Sequence, residues 1–506
     1  MNFLSKAMHK ASDLAAEYSI ICSYPVIYHT VRGKNMGNIS NFKRKYVQAI
    51  QEGYAAIFAG AGLSRPSGFV NWKDLLRELA EEINLDVDKE ADLVEVAQYY
   101  CNEKRGRSEL NNKILNRFIT EAQENSSINL LAEMPIKTYW TTNYDHLLED
   151  ILQKHGKRID VKLSAQSLST TLSASDALIY KMHGDYLEPS TCVITKDDYE
   201  SYNEKRQLFT TALQGDLVSK TFLFIGFSFE DPNLKYILSR IRNLLDTNRR
   251  THYCLLEKIK KEKYDDLERF YYDLNKQELR MHDLMRYGIE AILIDNYIEI
   301  PDILADIQKA TKCNSIFISG AAHEYGKAWE ETAPQFIRNL VRELYHKNYK
   351  IITGHARGIG SYVISAVVEE SQNNVAELEK HLMIKAFPYE DKNKKDYKEI
   401  ITKYREGIYK NAGVAIFMFG NKISDRGVVL TDGVYEEFKI AQKHNAYIIP
   451  IGSTGYVAEQ IWNEVYENIE EYPYLTAEAS ILRESTNPKE LICAIMSILS
   501  RIQKDF

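Results

Sequence analysis

The sequence predicts an α/β protein with two Rossmann-like domains, each built on a mainly parallel sheet. Short apolar runs of strand length alternate with helical patterns along most of the chain, as in α/β proteins. The alternation restarts after a polar stretch near residue 312, and 506 residues are more than one core requires. Each half also has a glycine-rich turn after a strand, as nucleotide-binding folds do. We therefore predict domains at residues 46–312 and 313–506.

The first half contains candidate strands separated by helical patterns. The clearest helical pattern is Trp72–Ile83, and the charged, periodic segment Glu257–Arg286 is typical of a solvated helix or helix pair. The expected strands are Ala55–Phe58, Thr138–Thr141, Leu178–Lys181, Thr221–Ile225, His252–Leu256 and Ile289–Ile294.

The second half repeats the order of strand, glycine turn and helix. The segment Ala328–His346 carries apolar residues at the three- and four-residue spacing of a helix packed on a sheet. Its apolar stripe consists of Trp329, Ala333, Phe336, Ile337, Leu340, Val341 and Leu344. Strands are expected at SIFISG, which starts at Ser315, and at Lys350–Gly354, Val414–Gly420 and Tyr447–Gly452.

Composition and charge exclude several classes of protein. The formal net charge of −7 gives no basic field that would attract nucleic acid or an anionic membrane. None of the six cysteines forms a C-x-x-C pair, so we expect neither a metal site nor a disulfide framework. Scattered cysteines of this kind fit a cytoplasmic protein.

Residues 1–45 are interpreted as a helical or partly ordered extension of unclear role. A signal peptide or membrane anchor is the alternative. The apolar stretch Ser19–Val31 is interrupted by Pro25 and His29 and is too short to span a bilayer, so we expect no membrane association.

A small-residue turn, Gly60-Ala61-Gly62-Leu63-Ser64, directly follows the first strand. Strand, glycine turn and helix form the general dinucleotide site, because glycines admit the pyrophosphate and the helix N-terminus offers N–H groups. The pattern alone is weak, and a tight turn without a ligand is an equal alternative.

Three further segments place polar residues where other strands end. In an open parallel sheet, the carboxyl ends of the strands line the ligand crevice. Taken singly, Asn143 could cap a helix, His183 could be a satisfied core histidine, and Asp231 could only form a turn. The segments are TYWTTNYDHLLE with Asn143 and Asp145, YKMHGD with His183, and FIGFSFEDPNL with Gly226, Ser228 and Asp231.

Together and in this order, the four segments resemble the sirtuin family, which carries G-A-G-[IL]-S, T-x-N-x-D, H-G and G-x-S. The resemblance covers roughly residues 54–233 and implies an NAD+-binding domain. It implies that Asn143 and His183 are catalytic, with His183 as the base and Asn143 near the nicotinamide ribose. The implied NAD+-binding residues are Gly60, Ala61, Gly62, Ser64, Asp145, Gly226, Ser228 and Asp231.

Two departures from protein-deacylating sirtuins affect the expected reaction. The chain reads SGFVNWKDLL where those enzymes carry G-I-P-D-F-R, and it lacks their four-cysteine zinc ribbon. Without a peptide cleft, water can trap the ribose cation, so the net reaction becomes hydrolysis of NAD+ to nicotinamide and ADP-ribose. A histidine, with an ordinary pKa of about 6.5, can accept the proton at neutral pH. A protein deacylase and a non-catalytic nucleotide-binding regulator remain alternatives.

The second half carries its own candidate binding residues. Gly320 in FISGAA and Gly354 in TGHARGIGSYV lie in turns suited to phosphate, although a second Rossmann-like domain also needs small turns. A guanidinium or ammonium group could pair with phosphates, and a carboxylate with ribose hydroxyls. No nucleophile–base pair is evident, which favours binding over catalysis. The charged candidates are Arg405, Lys422, Glu436 and Glu437.

This half resembles the SLOG superfamily of nucleotide-binding sensor domains, and the motif order over residues 46–506 resembles the effectors of the Thoeris anti-phage system. That resemblance implies a homotetrameric bacterial enzyme that depletes NAD+ after binding a cyclic ADP-ribose isomer made by a TIR-domain partner. The segment His355–Arg357 departs from the pattern, and Arg357 could add a phosphate contact or change the preferred isomer. The implied signal-binding residues are Gly320, Gly354, Arg405, Lys422 and Glu437.

Overall fold

Two parallel β-sheets, each accompanied by helices, form the framework of the protein. The structure is a computed structural model that describes residues 38–69, 72–90, 92–119, 121–229, 232–245, 250–372, 374–388 and 396–504. Most of the N-terminal extension predicted at residues 1–45 therefore lies outside the described residues. Within the described ranges, no helix is long and apolar enough to cross a membrane.

The first sheet has seven strands in the order β3-β4-β2-β1-β5-β6-β7, and every neighbouring pair is parallel. Its strands are β1 Ala55–Ala59, β2 Thr138–Thr141, β3 Ile159–Lys162, β4 Ala177–Lys181, β5 Thr221–Ile225, β6 His252–Glu257 and β7 Ile289–Ile294. The accompanying helices are Ile39–Gln51, Ala61–Ser64, Trp72–Glu82, Leu93–Glu103, Ser108–Phe118, Ser126–Glu133, Leu147–Lys154, Ala165–Ser169, Lys196–Glu200, Tyr202–Lys205, Gln207–Ser219, Pro232–Leu245, Leu267–Arg286 and Ile300–Lys312.

The second sheet has five parallel strands in the order β10-β9-β8-β11-β14, with a separate antiparallel hairpin, β12–β13. The strands are β8 Ser315–Ala321, β9 Lys350–Thr353, β10 Leu382–Ile384, β11 Val414–Phe419, β12 Asn421–Ser424, β13 Gly427–Leu430 and β14 Tyr447–Pro450. The helices are Ala333–His346, Gly360–Glu370, Val375–His381, Tyr397–Tyr409, Asp432–Lys443, Tyr456–Glu467, Ala479–Glu484 and Pro488–Lys504. Single 3-10 turns lie at Arg65–Ser67, Pro189–Thr191, Lys261–Lys263, Tyr297–Glu299, Gly452–Thr454, Ile469–Glu471 and Pro473–Leu475.

The continuous apolar runs of the sequence are the central strands of the sheets. All five residues of β1 are buried; Ile57 packs into the core on one face, and Phe58 packs into the core on the other. Burial on both faces is typical of parallel sheets covered by helices on each side. The predicted strands and the α/β fold class are thus confirmed, and the exposed charged helix is Leu267–Arg286, in which only Leu284 is buried.

Two edge strands and a hairpin were not predicted. The strand β3 contains alternating polar residues, and β10 has only three residues that are partly or fully exposed. Edge strands bury less surface than central strands, so they need no continuous apolar run in the sequence. The hairpin β12–β13 is likewise partly exposed and lies outside both sheets.

The helix Ile300–Lys312 connects the two sheets. Its apolar face packs into the core of the first sheet, whereas Cys313, the next residue, belongs to the core of the second. We therefore propose that the domain boundary lies near residue 312. At the other end, the helix Ile39–Gln51 runs across residue 45 and buries Phe42 and Tyr46, so we propose that the first domain includes it.

Candidate active site

The carboxyl ends of β1 and β5 form the topological switch point of the first sheet. β1 pairs with β2 on one side and with β5 on the other, and ligands bind open α/β sheets at such a point. The Gly60 N–H donates to the carbonyl of Ile225, and the Gly62 N–H donates to that of Gly226, both at 2.9 Å. The turn after β1 therefore lies directly against the turn after β5.

Close backbone contact explains why both turns contain glycine. A Cβ on Gly60 would lie 2.3 Å from the Gly226 carbonyl oxygen, and one on Gly226, which has φ +66°, would lie 2.2 Å from the Leu63 nitrogen. Because the Gly60 and Gly62 N–H groups donate within the protein and the helix Ala61–Ser64 has only four residues, this turn offers a pyrophosphate few free donors. NAD+ contacts by Gly60, Ala61 and Gly62 stay predictions.

Asn143 lies in the turn after β2 and points its amide at the turn after β1. Its Nδ2 donates to the Gly60 carbonyl at 3.2 Å and to the Ser64 hydroxyl at 3.0 Å. A carbonyl can only accept, which fixes Nδ2 on that side and Oδ1 on the other. Oδ1 is buried and has no hydrogen-bond partner among the described residues.

Ser64 and Asp145 are buried beside this amide. The Ser64 side chain also hydrogen-bonds the Asp145 carboxylate, which accepts the Leu147 N–H at 3.1 Å. Burial raises the pKa of Asp145 above its ordinary value, and the nearby Lys181 charge and these hydrogen bonds offset only part of that rise. Ser64, Asn143 and Asp145 thus form one polar group at the switch point.

His183 follows β4 and is almost completely buried. Its ring lies edge-on to Tyr199 and Tyr202, with centroid separations of 5.8 and 6.1 Å. Its carbonyl accepts the Val193 N–H at 2.9 Å, and Val193 in turn accepts the Tyr144 hydroxyl at 2.8 Å. The aromatic and backbone contacts fix His183 in the turn after β4, and β4 pairs with β2, the strand that Asn143 follows.

Lys181, the last residue of β4, has no exposed side-chain surface and lies among carboxylates. Its ammonium is 2.7 Å from Asp185 Oδ2 and 2.9 Å from Glu149 Oε1. It also donates to the carbonyls of Asp145 at 2.7 Å and Tyr144 at 3.2 Å. Burial opposes its charge, but the two carboxylates outweigh burial and raise the pKa of Lys181.

His146 extends this cluster toward the surface. Its Nε2 is 2.6 Å from Asp185 Oδ2, and this hydrogen bond raises the pKa of His146. Burial opposes ionisation of Asp185, yet the contacts with His146 and Lys181 lower its pKa to about 2. His146, Glu149 and Asp185 have ligand atoms within 4.8 Å of one another, as a metal site would, but the Lys181 ammonium already pairs with two of them.

The remaining predicted NAD+-binding residues follow β5. Ser228 is exposed, and its carbonyl accepts a hydrogen bond from Arg280 of the helix Leu267–Arg286. Asp231 lies outside the described residues. Gly226 is thus placed at the switch point, whereas adenosine contacts on this side stay a prediction.

A second polar group lies at the corresponding end of the second sheet. The buried Arg405 guanidinium binds the exposed Glu436 through one terminal nitrogen, and its Nε is 3.9 Å from Glu437 Oε1. Glu437 accepts the Ser319 hydroxyl at 2.6 Å, and burial raises its pKa. Arg405 Nε is buried and makes no hydrogen bond to a described residue.

The other predicted signal-binding residues are related to Arg405 only through neighbouring residues. Gly320 follows Ser319 on β8, and a Cβ on it would lie 2.4 Å from the Met418 carbonyl oxygen. A Cβ on Gly354 would contact the hydroxyl of Tyr404, the residue before Arg405. Lys422 is exposed on β12 and pairs at 2.8 Å with Asp432, which begins the helix that carries Glu436 and Glu437.

Sequence reasoning missed the residues that support these groups. Lys181 and Asp185 both lie inside the quoted segment YKMHGD, and the lysine at the end of an apolar strand is a signal that could have identified them. Asn125 was also missed; it caps the helix Ser126–Glu133 and donates from its Nδ2 to the Leu63 carbonyl at 2.8 Å. Its backbone partner lies in the glycine turn, which no local pattern reveals.

Comparison with protein families assigns both halves of the chain. Residues 137–281 match the model of the SIR2-like domain, and residues 299–502 match that of the Sir2- and TIR-associating SLOG family. Among solved structures, a complex of a Sir2 homologue with NAD aligns at 13% identity with a TM-score of 0.30, covering 55% of this chain and 97% of its own. A TM-score this low supports no inference.

Several curated proteins are similar over most of the chain. A protein of Bacillus cereus named NAD(+) hydrolase ThsA is 44% identical over 468 residues, covering 90% of this chain and 97% of the relative. A protein of the same name from Acinetobacter baumannii is 41% identical over 90% of this chain and 98% of its own length. Defense-associated sirtuin 2 of Bacillus subtilis is 23% identical over 41% of this chain and 21% of its own. This chain therefore belongs to the family of proteins named NAD(+) hydrolase ThsA.

Proposed function

We propose that this protein hydrolyses NAD+ to nicotinamide and ADP-ribose at the switch point of its first sheet, under control of a nucleotide signal bound by its second domain. The observation that carries the proposal is the unpaired, buried Oδ1 of Asn143. A buried amide oxygen without a partner costs about 1–3 kcal/mol, so such atoms mark places where a ligand or water belongs.

The Asn143 amide is well suited to hold a hydroxyl donor. Its Nδ2 is committed to Gly60 and Ser64, so only Oδ1 remains to accept a hydrogen bond from the attacking water or a ribose hydroxyl. The buried Asp145 carboxyl lies beside it; burial raises the pKa of this group, but in its ionised form it would stabilise a cationic ribose. Both features favour a substrate with hydroxyls around a carbon that develops positive charge.

The proposed reaction needs few titratable groups. The bond between ribose C1′ and the nicotinamide nitrogen breaks, and nicotinamide leaves as a neutral molecule. A water oxygen forms the new bond to C1′, and its proton passes to His183 and then to solvent. General acid–base help of this kind is typically worth about 10²–10⁴-fold.

The second domain is proposed to bind a cyclic ADP-ribose isomer. Arg405 presents a buried, unpaired N–H, which suits an anionic phosphate, and Glu437 is close enough to orient ribose hydroxyls. The guanidinium binds the exposed Glu436, so a phosphate has to displace that carboxylate. Gly320, Gly354 and Lys422 would complete the pocket.

The cellular role is proposed from the family. The matched family is described as Sir2- and TIR-associating, which supports a TIR-domain partner as the source of the signal. The relative named Defense-associated sirtuin 2 supports a role in defence. We propose that the protein acts as a homotetramer that depletes NAD+ in infected cells.

Product analysis tests the proposal. The purified full-length protein is incubated with NAD+, with and without isomers of cyclic ADP-ribose, and the products are separated by chromatography. Nicotinamide and ADP-ribose should form in equal amounts, and faster with the correct isomer. An added acetyl-lysine peptide should not change the rate; formation of O-acetyl-ADP-ribose would instead show a deacylase, and unchanged NAD+ in every arm would favour a non-catalytic regulator.

A further inference from the structure

The two proposed catalytic residues lie on separate turns that one lysine connects. Asn143 follows β2 and His183 follows β4, and these neighbouring parallel strands pair with Thr141 opposite Lys181. Lys181 precedes His183 by two residues, yet its side chain reaches the turn that carries Asn143. This side chain is therefore one of the contacts that join the two turns, beside the backbone hydrogen bond from the Met182 N–H to the Thr141 carbonyl at 3.0 Å.

The connection consists of two hydrogen bonds to the backbone. The Lys181 ammonium donates to the carbonyls of Tyr144 and Asp145, the two residues that follow Asn143, at 3.2 and 2.7 Å. The Tyr144 carbonyl also accepts the Tyr186 N–H, at 3.2 Å, from the turn after His183. The ammonium of Lys181, at the end of β4, thus holds the turn that follows β2.

The ammonium is itself held from the opposite side. Asp185 and Glu149, both buried, lie 2.7 and 2.9 Å from it, and Asp185 is also bound by His146. A buried ammonium among two carboxylates and two carbonyls has little freedom to move, because any displacement leaves a buried charge or carbonyl unpaired. The Lys181 ammonium is therefore held more rigidly than the ammonium of an exposed ion pair.

We propose that Lys181 is a positioning residue for NAD+ hydrolysis, which fixes the Asn143 amide relative to the His183 ring without touching NAD+. The inference rests on the proposed function. A misplacement of about 1 Å can cost about 100-fold in rate, so loss of the ammonium should lower kcat by about that factor. KM for NAD+ should change far less, since the remaining binding contacts persist.

The test compares full-length wild type with Lys181→Met, Lys181→Arg and the control Lys162→Met. Lys162 is also a buried lysine of the same sheet, paired with Asp160 at 2.8 Å, but it lies at the end of the edge strand β3. Nicotinamide release, measured with the cyclic ADP-ribose isomers present, gives kcat and KM, and thermal unfolding gives stability. We expect Lys181→Met to lose about 100-fold in kcat and Lys181→Arg to recover at least about tenfold of it. Lys162→Met should keep its kcat even where its unfolding temperature falls.

Other outcomes overturn the proposal. A folded Lys181→Met protein with wild-type kcat, or equal losses of kcat in Lys181→Met and Lys162→Met, would show that the lysine has only a structural role. If Lys181→Met does not fold, Asp185→Asn replaces it; that variant keeps the backbone contacts but removes one holding charge, and kcat should fall about tenfold. An unchanged kcat in folded Asp185→Asn would contradict the inference. A wild type that releases no nicotinamide even with the cyclic ADP-ribose isomers added would overturn the proposed function and the positioning role with it.

Discussion

Each domain has a buried cation near its proposed site, and the two cations differ in the groups that hold them. In the first domain, Lys181 is fully enclosed by carboxylates and carbonyls, and the atom left unpaired beside it is an acceptor, Asn143 Oδ1. In the second domain, Arg405 is held by the exposed Glu436, and the unpaired atom is a donor, Arg405 Nε. Both statements concern hydrogen bonds among the described residues.

We interpret this difference in unpaired atoms as the difference between a site for a reaction and a site for binding. An unpaired acceptor next to buried carboxylates suits hydroxyl groups and a developing cation, whereas an unpaired guanidinium donor suits a phosphate. A cation enclosed on all sides can only hold the protein together, but one held by an exposed carboxylate can change partners. We therefore propose that the two domains, which have similar folds, use these groups as a reaction site and as an anion-binding site.

The largest expected effect concerns His183 in the first domain. His183→Ala should lower the rate of nicotinamide release by about 10²–10⁴-fold, because the base that accepts the water proton is lost. Asn143→Ala should be similarly slow, because the oriented amide oxygen disappears. Chromatographic product analysis measures the rate, and His155→Ala, a substitution outside the switch point, serves as the control. Normal turnover in folded His183→Ala would contradict the claim that the first domain uses His183 as a catalytic base.

The next effect concerns the backbone contact between the glycine turns. Gly226→Ala should destabilise the first domain by about 2–5 kcal/mol, from positive-φ strain plus the overlap with Leu63. Gly53 has φ +79° but no neighbour within 4 Å, so Gly53→Ala isolates the strain and should cost about 1–2 kcal/mol. Denaturant unfolding measures both. Equal losses in the two variants would show that the close contact contributes nothing.

In the second domain, Arg405→Ala should weaken binding of the activating cyclic ADP-ribose isomer by about 10–150-fold, the value of one charge-assisted hydrogen bond. The variant should still hydrolyse NAD+ when the signal is raised in proportion. Titration of the signal against nicotinamide release measures this shift, with Arg483→Ala, in a partly buried pair with Glu459, as the control. Activation of Arg405→Ala at the wild-type concentration would contradict the anion-binding role.

The smallest effect tests whether Arg405 exchanges partners. Glu436→Gln should tighten binding of the signal by about 1.5–5-fold, because the exposed Glu436 carboxylate, in an ion pair worth about 0.2–1 kcal/mol, no longer competes with the phosphate. Calorimetry measures the affinity, and Glu459→Gln, which removes the carboxylate of a different ion pair, should leave it unchanged. Weaker binding by Glu436→Gln would mean that Glu436 contacts the signal rather than competing with it.

The sequence by itself determined the fold class, the central strands and where the polar segments stand. Central strands of a parallel sheet are buried on both faces, so they appear as continuous apolar runs such as Ala55–Ala59. Their carboxyl ends meet at one edge, which is why the segments with Asn143 and His183 could be placed together in advance. The edge strands β3 and β10 were not predicted, because partly exposed strands have no continuous apolar run in the sequence.

Only the tertiary structure decided what the individual groups contact. The sequence predicts a pyrophosphate site at the glycines of the first turn, and that prediction stays open; only the fold shows that the same glycines admit the backbone of Gly226, which follows a distant strand. In the sequence, Lys181 is only the last residue of a strand. In the fold, its ammonium contacts Glu149 and the backbone carbonyl of Asp145 in the neighbouring turn. Hydrogen bonds and ion pairs act over a few ångströms between residues far apart in the chain, so no local pattern can encode which partner each group finds.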